Sequence, residues 1–286
     1  MGNEALLAIC YDFDGTLSPG NMQEYDFFRG LGVTPSEFWR EATEMAKAGM
    51  ADPVLAYMKL MLDKAGRTQG MDISKEAFRR YGASVQLYEG LDGWFDRINA
   101  YAESRGLRAE HYIISSGIRE MIKGSSISDR FKEVFASSFL YDKDGYPIWP
   151  AMAVNYTNKT QYLFRINKGV SDITDNREVN RHVPHEQRRI PFDRMVYIGD
   201  GDTDIPCMKL VKDKGGFSVA VFGRQDARKA AEACELLSQG RVNAAAPADY
   251  REGSYLEEVI RAFIDHAAAD HRLKELVEKV MCLQGA

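Results

Sequence analysis

The stretch Leu6-Leu-Ala-Ile-Cys-Tyr11, followed at once by Asp12-Phe13-Asp14-Gly15-Thr16-Leu17, decides the fold of this chain. A short apolar run that ends abruptly in acidic residues and glycine predicts a buried strand ending in a loop. Residues two apart in extended backbone lie on the same side, so the carboxylates of Asp12 and Asp14 can face one site. A calcium loop does not fit, because Thr16 and Leu17 stand where an acidic or amide residue and then glycine are needed. A strand end capped by a solvated Asp-Gly turn stays an alternative for this motif alone.

Further short apolar segments follow along the chain, each ending in Ser, Gly, Asp or Pro. They are His111 to Ile114, Met195 to Ile198, Phe217 to Phe222 and Val242 to Ala246. Stretches with helical period lie between several of them, and strands alternating with helices predict an α/β fold. We therefore expect a Rossmann-like parallel sheet with helices on both faces. Phe139 to Ala153 predicts an added β-hairpin that turns at Asp142-Lys-Asp-Gly145.

The segment 18–89 interrupts this alternation, since it contains helical patterns and no convincing strand. We expect it to form a small helical insert, while residues 1–17 and 90–286 form the α/β core. Because the insert follows the first strand directly, it should lie over the carboxyl end of the sheet, where open α/β sheets bind ligands.

Composition excludes several classes of protein. With 286 residues, of which 45% are hydrophobic and 28% charged, the chain is not disordered. A formal charge of −5 argues against a nucleic-acid partner, which would require a basic face. No signal-peptide pattern and no apolar run of roughly 18 to 20 residues is found, so we expect a cytoplasmic protein without a membrane partner. The scattered cysteines, Cys10, Cys207, Cys234 and Cys282, predict reduced thiols.

A second acidic cluster, Gly199-Asp200-Gly201-Asp202-Thr203-Asp204, follows another predicted strand. Calcium is again disfavoured, because Ile205 occupies the position that needs glycine. Magnesium suits the pattern better, since it binds through one or two carboxylates, waters and a substrate phosphate. Asp12 and Asp200 are the predicted side-chain ligands, whereas Asp202 is equally consistent with a solvated turn.

These motifs together resemble those of the haloacid dehalogenase superfamily. The similarity lies in the sequence DFDGTL at 12–17, a strand ending in Ser115-Ser116-Gly117, an intervening lysine, and GDGDTD at 199–204. It spans roughly residues 5–265 and leaves the last helix outside. The insert, residues 18–89, resembles the helical C1-type cap domain of the family, and the chain is broadly similar to the phosphoserine phosphatases. A cap of this kind implies candidate substrate contacts, namely Tyr25, Arg29, Trp39, Arg40 and Tyr57.

The resemblance implies a role for each matching residue. Asp12 would be the nucleophile that forms an aspartyl-phosphate, and Asp14 the general acid and later base. Asp14 would also offer its backbone carbonyl to Mg²⁺. The dehalogenases of the family lack this second Asp, so its presence favours phosphate chemistry. Asp204 would orient the lysine or a metal-bound water.

The phosphate-binding groups follow in the same way. The Ser115 hydroxyl would donate to a phosphate oxygen, and the backbone amides of Ser116 and Gly117 would open the following helix, whose amino end suits an anion. Lys159 and Lys168 both lie between the predicted hairpin and the last acidic motif. We choose Lys159, because it opens a segment with Leu163 and Ile166 on one helical face, which is where the resemblance implies the lysine. Lys168 ends that helix and is also explained as a cation at a helix end.

The resulting prediction is a Mg²⁺-dependent phosphomonoesterase acting on a small phosphate ester. A phosphotransferase or mutase, and a non-catalytic binding protein, are the alternatives. The arginine-rich stretch Arg177 to Arg189, with His182 and His185, lies in a predicted surface loop from Ser171 to Arg194. This stretch could contact an anionic substrate, but a solvated loop is the simpler interpretation. In the last helix Leu273, Leu276, Val277 and Val280 share a face that we expect to dock onto the core rather than form an oligomer contact.

Overall fold

The computed structural model describes residues 5–284, with their side chains up to residue 277. Seven strands form one sheet: β1 (Ala5–Tyr11), β2 (Leu107–Ile118), β3 (Glu133–Tyr141), β4 (Pro147–Met152), β5 (Met195–Gly199), β6 (Phe217–Phe222) and β7 (Ala244–Pro247). Their order is β4-β3-β2-β1-β5-β6-β7, and every neighbouring pair is parallel except β3 with β4. The predicted α/β class is confirmed, as is the hairpin, which joins β3 and β4.

The middle of this sheet is a topological switch point. From β1 the chain adds β2, β3 and β4 on one side, then returns to place β5 against the other side of β1. The loops that follow the neighbouring strands β1 and β5 therefore lead in opposite directions and open a crevice at the carboxyl ends of the strands, which is where open α/β sheets bind ligands. The acidic loops after β1 and β5 both lie at this crevice.

Eleven helices accompany the strands within the described range: α1 (Asp26–Leu31), α2 (Pro35–Gly49), α3 (Pro53–Arg67), α4 (Lys75–Ala83), α5 (Leu91–Ser104), α6 (Arg119–Gly124), α7 (Lys159–Lys168), α8 (Asn176–Asn180), α9 (Ile205–Asp213), α10 (Ala227–Ser238) and α11 (Tyr255–Gln284). Alternate residues of β1 enter two separate apolar clusters, Leu7 and Ile9 in one and Ala8 and Cys10 in the other. The sheet is thus buried on both faces. No helix in the described range is long and apolar enough to span a bilayer.

The segment 18–89 is helical, and local sequence signals start its longer helices. Thr34 forms a capping box with Glu37 at the start of α2, and Asp52 caps α3 ahead of Pro53. The apolar interior of the segment continues into the sheet, because Phe78 of α4 stacks on Phe139 of β3 at 5.5 Å between ring centroids. The division into a core and a cap at 17/18 and 89/90 stays a prediction.

Helix α4 of the cap segment packs closely against α6 through two glycines. A Cβ placed on Gly82 would lie 1.9 Å from the Met121 carbonyl oxygen, and one on Gly124 would lie 1.9 Å from the Arg79 carbonyl oxygen. We expect Gly82→Ala and Gly124→Ala each to lower the free energy of unfolding by about 1 to 3 kcal/mol, because backbone must move to admit the methyl group. Denaturant titration measures this change.

The matched control is Gly66→Ala near the end of α3, where a Cβ meets nothing within 4 Å. There alanine should leave stability unchanged or raise it by about 0.5 to 1 kcal/mol, since it restricts the unfolded chain. Equal effects at Gly66 and Gly82 would contradict the close packing of α4 on α6.

Two expectations about the second half of the chain need correction. Leu273, Leu276 and Val277 are 61%, 50% and 54% exposed, so the prediction that this face of α11 docks onto the core is wrong for them. Helix α11 packs through its first half, and at 30 residues it extends beyond the sheet that it covers. Val280 and Cys282 lie outside the described side chains. The stretch 171–194 is largely irregular, as expected, but contains α8.

Candidate active site

Three strand ends meet at the switch point and bring the predicted residues together. Asp12 and Asp14 follow β1, Ser115 to Gly117 lie at the end of β2, and Asp200 follows β5. All six line one cavity of about 470 Å³, which the cap segment closes from the other side. Lys159 and Asp204 lie beneath its floor, where Lys159 contacts both Asp12 and Asp204.

The turn after β1 depends on a glycine. The Phe13 carbonyl oxygen accepts hydrogen bonds from the backbone N–H groups of Leu17 and Ser18, which closes the loop tightly. Gly15 has a φ of +76°, and a Cβ at this position would lie 2.2 Å from Oδ2 of Asp200. Only glycine allows the loop to bring Asp12 and Asp14 so near to the loop after β5.

Ser116 and Gly117 are positioned differently from the prediction. In the pairing of β2 with β3, Ser115 lies opposite Ala136 and Ile118 lies opposite the next residue of β3, Ser137. The two residues between them, Ser116 and Gly117, therefore bulge out of the ladder. The helix begins only at Arg119, and the expectation that these two amides open it is therefore wrong. A bulge of this kind redirects backbone at the end of a strand, and here it turns both residues into the cavity.

Lys159 is fully buried between two carboxylates. Its Nζ lies 3.1 Å from Oδ2 of Asp12 and 2.7 Å from Oδ1 of Asp204, and Tyr197 donates its hydroxyl to the same Asp204 oxygen at 2.7 Å. Burial alone would lower the pKa of Lys159, but the two carboxylates outweigh burial and raise it, so the ammonium stays charged.

Lys168, at the other end of α7, lies away from this cluster. Its Nζ donates to the carbonyl oxygens of Val179 at 2.6 Å and Arg181 at 2.7 Å. It therefore ties the following loop to the helix end. Of the two candidate lysines, Lys159 is the one that contacts the carboxylates of the site.

The two carboxylates after β1 have different surroundings. Burial, and then the negative charge of Asp204, raises the pKa of Asp12, while Lys159 opposes the rise. Burial and the charge of Asp12 raise the pKa of Asp14 well above its ordinary value, and its favourable contact is the Met22 backbone N–H at 2.9 Å. Asp14 is thus the carboxyl group that more readily keeps a proton.

The donor set fits a hard divalent cation. One carboxylate oxygen from each of Asp12, Asp200 and Asp204 lies within 4.8 Å of the others. Asp204 is already engaged by Lys159 and Tyr197, which leaves Asp12 and Asp200 as the available carboxylates. Burial, and then the charge of Asp204, raises the pKa of Asp200 to about 6, and a bound cation would relieve this repulsion.

Several residues of the cavity were missed by sequence reasoning. Asn21 and Gln23 line it from the cap, and Lys229 lines it from α10, where its Nζ lies 3.3 Å from Oδ2 of Asp200. A lone polar residue in an insert carries no signal, although a lysine in the first turn of a helix after a strand could have been considered. Of the five cap candidates, Trp39 and Tyr57 line the cavity, while Tyr25, Arg29 and Arg40 do not.

The arginine-rich stretch does not contribute to this cavity. No residue from Arg177 to Arg189 lines it within the described part of the chain. Arg189 instead forms a two-pronged ion pair with Glu110 of β2, with both nitrogen-to-oxygen distances at 2.7 Å. The stretch therefore lies outside the lining of the cavity, which agrees with its interpretation as a solvated loop.

Comparison with known proteins gives consistent results. A family model described as haloacid dehalogenase-like hydrolase matches residues 9–209. An uncharacterized protein of Borreliella burgdorferi is 28% identical over 281 residues, covering 88% of this chain and 94% of that protein.

Among solved structures, a HAD family hydrolase from Salmonella enterica serovar Typhi has a TM-score of 0.55 at 15% identity, covering 88% of this chain and 69% of that chain. A phospho-aspartyl intermediate analogue of phosphoserine phosphatase has a TM-score of 0.51 at 17% identity, covering 90% of this chain and 99% of that chain. At such identities the likeness shows a shared fold.

Proposed function

The chain belongs to the haloacid dehalogenase-like hydrolase family, and on that premise we propose that it is a Mg²⁺-dependent phosphomonoesterase acting on a small phosphorylated metabolite. The observation that carries the proposal is the pair of carboxylates in one cavity with unlike surroundings. Asp12 contacts a buried lysine that opposes the rise in its pKa, whereas Asp14 has no cation among its contacts in the described chain. Unlike surroundings of this kind assign a nucleophile and a proton donor.

The reaction would proceed in two displacements at phosphorus. A carboxylate oxygen of Asp12 attacks, the bond from phosphorus to the ester oxygen breaks, and Asp14 gives its proton to the departing alkoxide. Asp14, now ionised, then takes a proton from water. That water attacks the same phosphorus, and the bond to Asp12 breaks to release inorganic phosphate.

Other residues of the cavity would stabilise the transferring group. The Ser115 hydroxyl and the Ser116 backbone N–H, which line the cavity, would donate to phosphoryl oxygens, whereas the Gly117 N–H already donates to Ser115 Oγ at 3.1 Å. Lys159 holds Asp12 in place and offsets negative charge as the new bond forms. Asp12, Asp200 and the Asp14 backbone carbonyl would hold Mg²⁺. When bound, the ion would supply positive charge that stabilises the transferring phosphate.

The proposal is tested by phosphate release from p-nitrophenyl phosphate, which should require Mg²⁺ and stop when EDTA is added. Binding of the ion should also be visible without turnover. Since its carboxylate ligands must be ionised, protons compete with Mg²⁺ at low pH. We expect Mg²⁺ at a hundred times its Kd to raise Tm by roughly 5 to 10 °C at about pH 8. At about pH 5 the same concentration of Mg²⁺ should raise Tm less.

The larger stabilisation by Mg²⁺ at high pH follows from the raised pKa values of Asp12 and Asp200. Between about pH 4 and 7 the metal-free folded protein keeps protons that the unfolded chain has released, so these groups make stability fall as pH rises. Bound Mg²⁺ would remove this loss of stability, because it favours the ionised carboxylates. Asp200→Asn should abolish the Mg²⁺ shift, whereas Asp202→Asn, in the same loop but outside the cluster, should retain it. A shift of equal size at both pH values would contradict the assigned ligands.

A further inference from the structure

The cap-facing wall of the catalytic cavity carries no charge. Its four larger side chains are neutral, namely Asn21, Gln23, Trp39 and Tyr57. Among the cavity-lining residues that the structure describes, Lys229 is the one cation, and it is paired with Asp200. Four carboxylates also line the cavity, namely those of Asp12, Asp14, Asp200 and Asp202. A negatively charged leaving group would enter this space without a free partner.

The aromatic part of the wall presents carbon rather than polar atoms. The rings of Trp39 and Tyr57 pack edge to face with centroids 5.6 Å apart. The Trp39 indole N–H donates to Oε1 of Glu24 at 2.6 Å, and the Tyr57 hydroxyl donates to the Ser116 carbonyl oxygen at 2.5 Å. With these donors occupied, the two rings offer a fixed apolar surface to a ligand.

Gln23 is the polar exception in this wall. Its side chain is 1% exposed and lines the cavity, and its Oε1 has no hydrogen-bond partner in the described part of the protein. A buried amide left unpaired is unfavourable, so a ligand that pairs with it gains affinity. A hydroxyl group both donates and accepts, and it can therefore satisfy this amide in either orientation.

Resting on the proposed function, we propose that the alcohol released from the ester is hydroxylated and carries no negative charge, as in polyol and sugar phosphates. One hydroxyl pairs with the Gln23 amide, and the carbon skeleton lies against Trp39 and Tyr57. A carboxylate on the leaving group is not provided for, because Lys229 is already paired with Asp200. Despite the shared fold, a zwitterion such as phosphoserine is a poor match.

Two esters with one carbon skeleton test this directly. Glycerol phosphate and phosphoglycerate differ in a hydroxymethyl group replaced by a carboxylate. We expect kcat/KM for glycerol phosphate to exceed that for phosphoglycerate and for phosphoserine by about tenfold or more, because an unpaired charge beside like charges is costly. Equal or better turnover of either charged ester would overturn the inference while leaving the phosphatase proposal intact. No release from any ester, p-nitrophenyl phosphate included, would refute both.

Gln23→Met, which keeps the approximate volume and removes the amide, tests the residue. The ratio of kcat/KM for glycerol phosphate to that for p-nitrophenyl phosphate, whose leaving group has no second hydroxyl, should fall about tenfold. The control Gln161→Met alters an exposed residue of α7 and should leave the ratio as it is. An unchanged ratio in Gln23→Met would overturn the role of Gln23. Should Gln23→Met fail to fold, calorimetry with the Asp12→Asn variant measures the binding of the two esters without turnover. We expect glycerol phosphate to bind more tightly than phosphoglycerate, and the reverse order would overturn the inference.

Discussion

Asp12→Asn is expected to lower kcat for phosphate ester hydrolysis by about 10⁴-fold or more. The substitution keeps the shape of the side chain but removes the oxygen nucleophile, and no other route to a covalent intermediate is then available. Phosphate release measured with saturating Mg²⁺ and excess enzyme would detect the residual rate.

The loss should not come from unfolding. Asp12 is a buried carboxylate whose raised pKa makes its ionised form unfavourable, and Lys159 keeps Asp204 as a partner in the variant. Tm in the absence of metal should therefore be unchanged or higher. Asp202→Asn is the control, since Asp202 is exposed and outside the carboxylate cluster; comparable losses of kcat in both variants would contradict a specific role for Asp12.

Lys159→Met is expected to damage stability and activity together. The variant leaves Asp12 and Asp204 buried side by side without a cation, and removing one partner of a buried ion pair costs about 3 to 5 kcal/mol of unfolding free energy. Among folded molecules, kcat should fall about 10² to 10³-fold, as for loss of one group that stabilises charge in the transition state. Denaturant titration and kcat per folded enzyme, quantified by circular dichroism, separate the two effects.

Lys168→Met provides the comparison within the same helix. Its Nζ binds loop carbonyl oxygens, so the variant should lose some stability of the 171–194 stretch and keep kcat within a few-fold. If Lys168→Met instead lost activity while Lys159→Met remained active, the assignment of the lysine would be wrong.

Local signals in the sequence predicted the parts of the site that follow strands directly. The runs before Asp12 and Asp200 are apolar and short, and each ends in a glycine-containing acidic loop, so both strands and their neighbouring positions at the sheet edge could be expected. The helical nature of segment 18–89 was also predictable, because Pro53 and the capping residue Asp52 mark the start of a helix in the sequence itself.

Features that depend on distant contacts could not be predicted. The bulge at Ser116 and Gly117 arises from the pairing of β2 with β3, which leaves no mark in the local sequence. Gln23 and Lys229 reach the cavity only because the cap and α10 pack around it. The exposed face of α11 has a helical apolar pattern, but whether the sheet extends beneath it depends on the length of the whole core.

The most direct test of the account is to trap the covalent intermediate. Enzyme quenched in acid during turnover of p-nitrophenyl phosphate, then digested and examined by mass spectrometry, should carry one phosphoryl group on the peptide that contains Asp12, and Asp12→Asn should carry none. A phosphoryl group on another residue, or turnover by an enzyme on which no phosphoryl group can be trapped at Asp12, would contradict nucleophilic attack by this carboxylate.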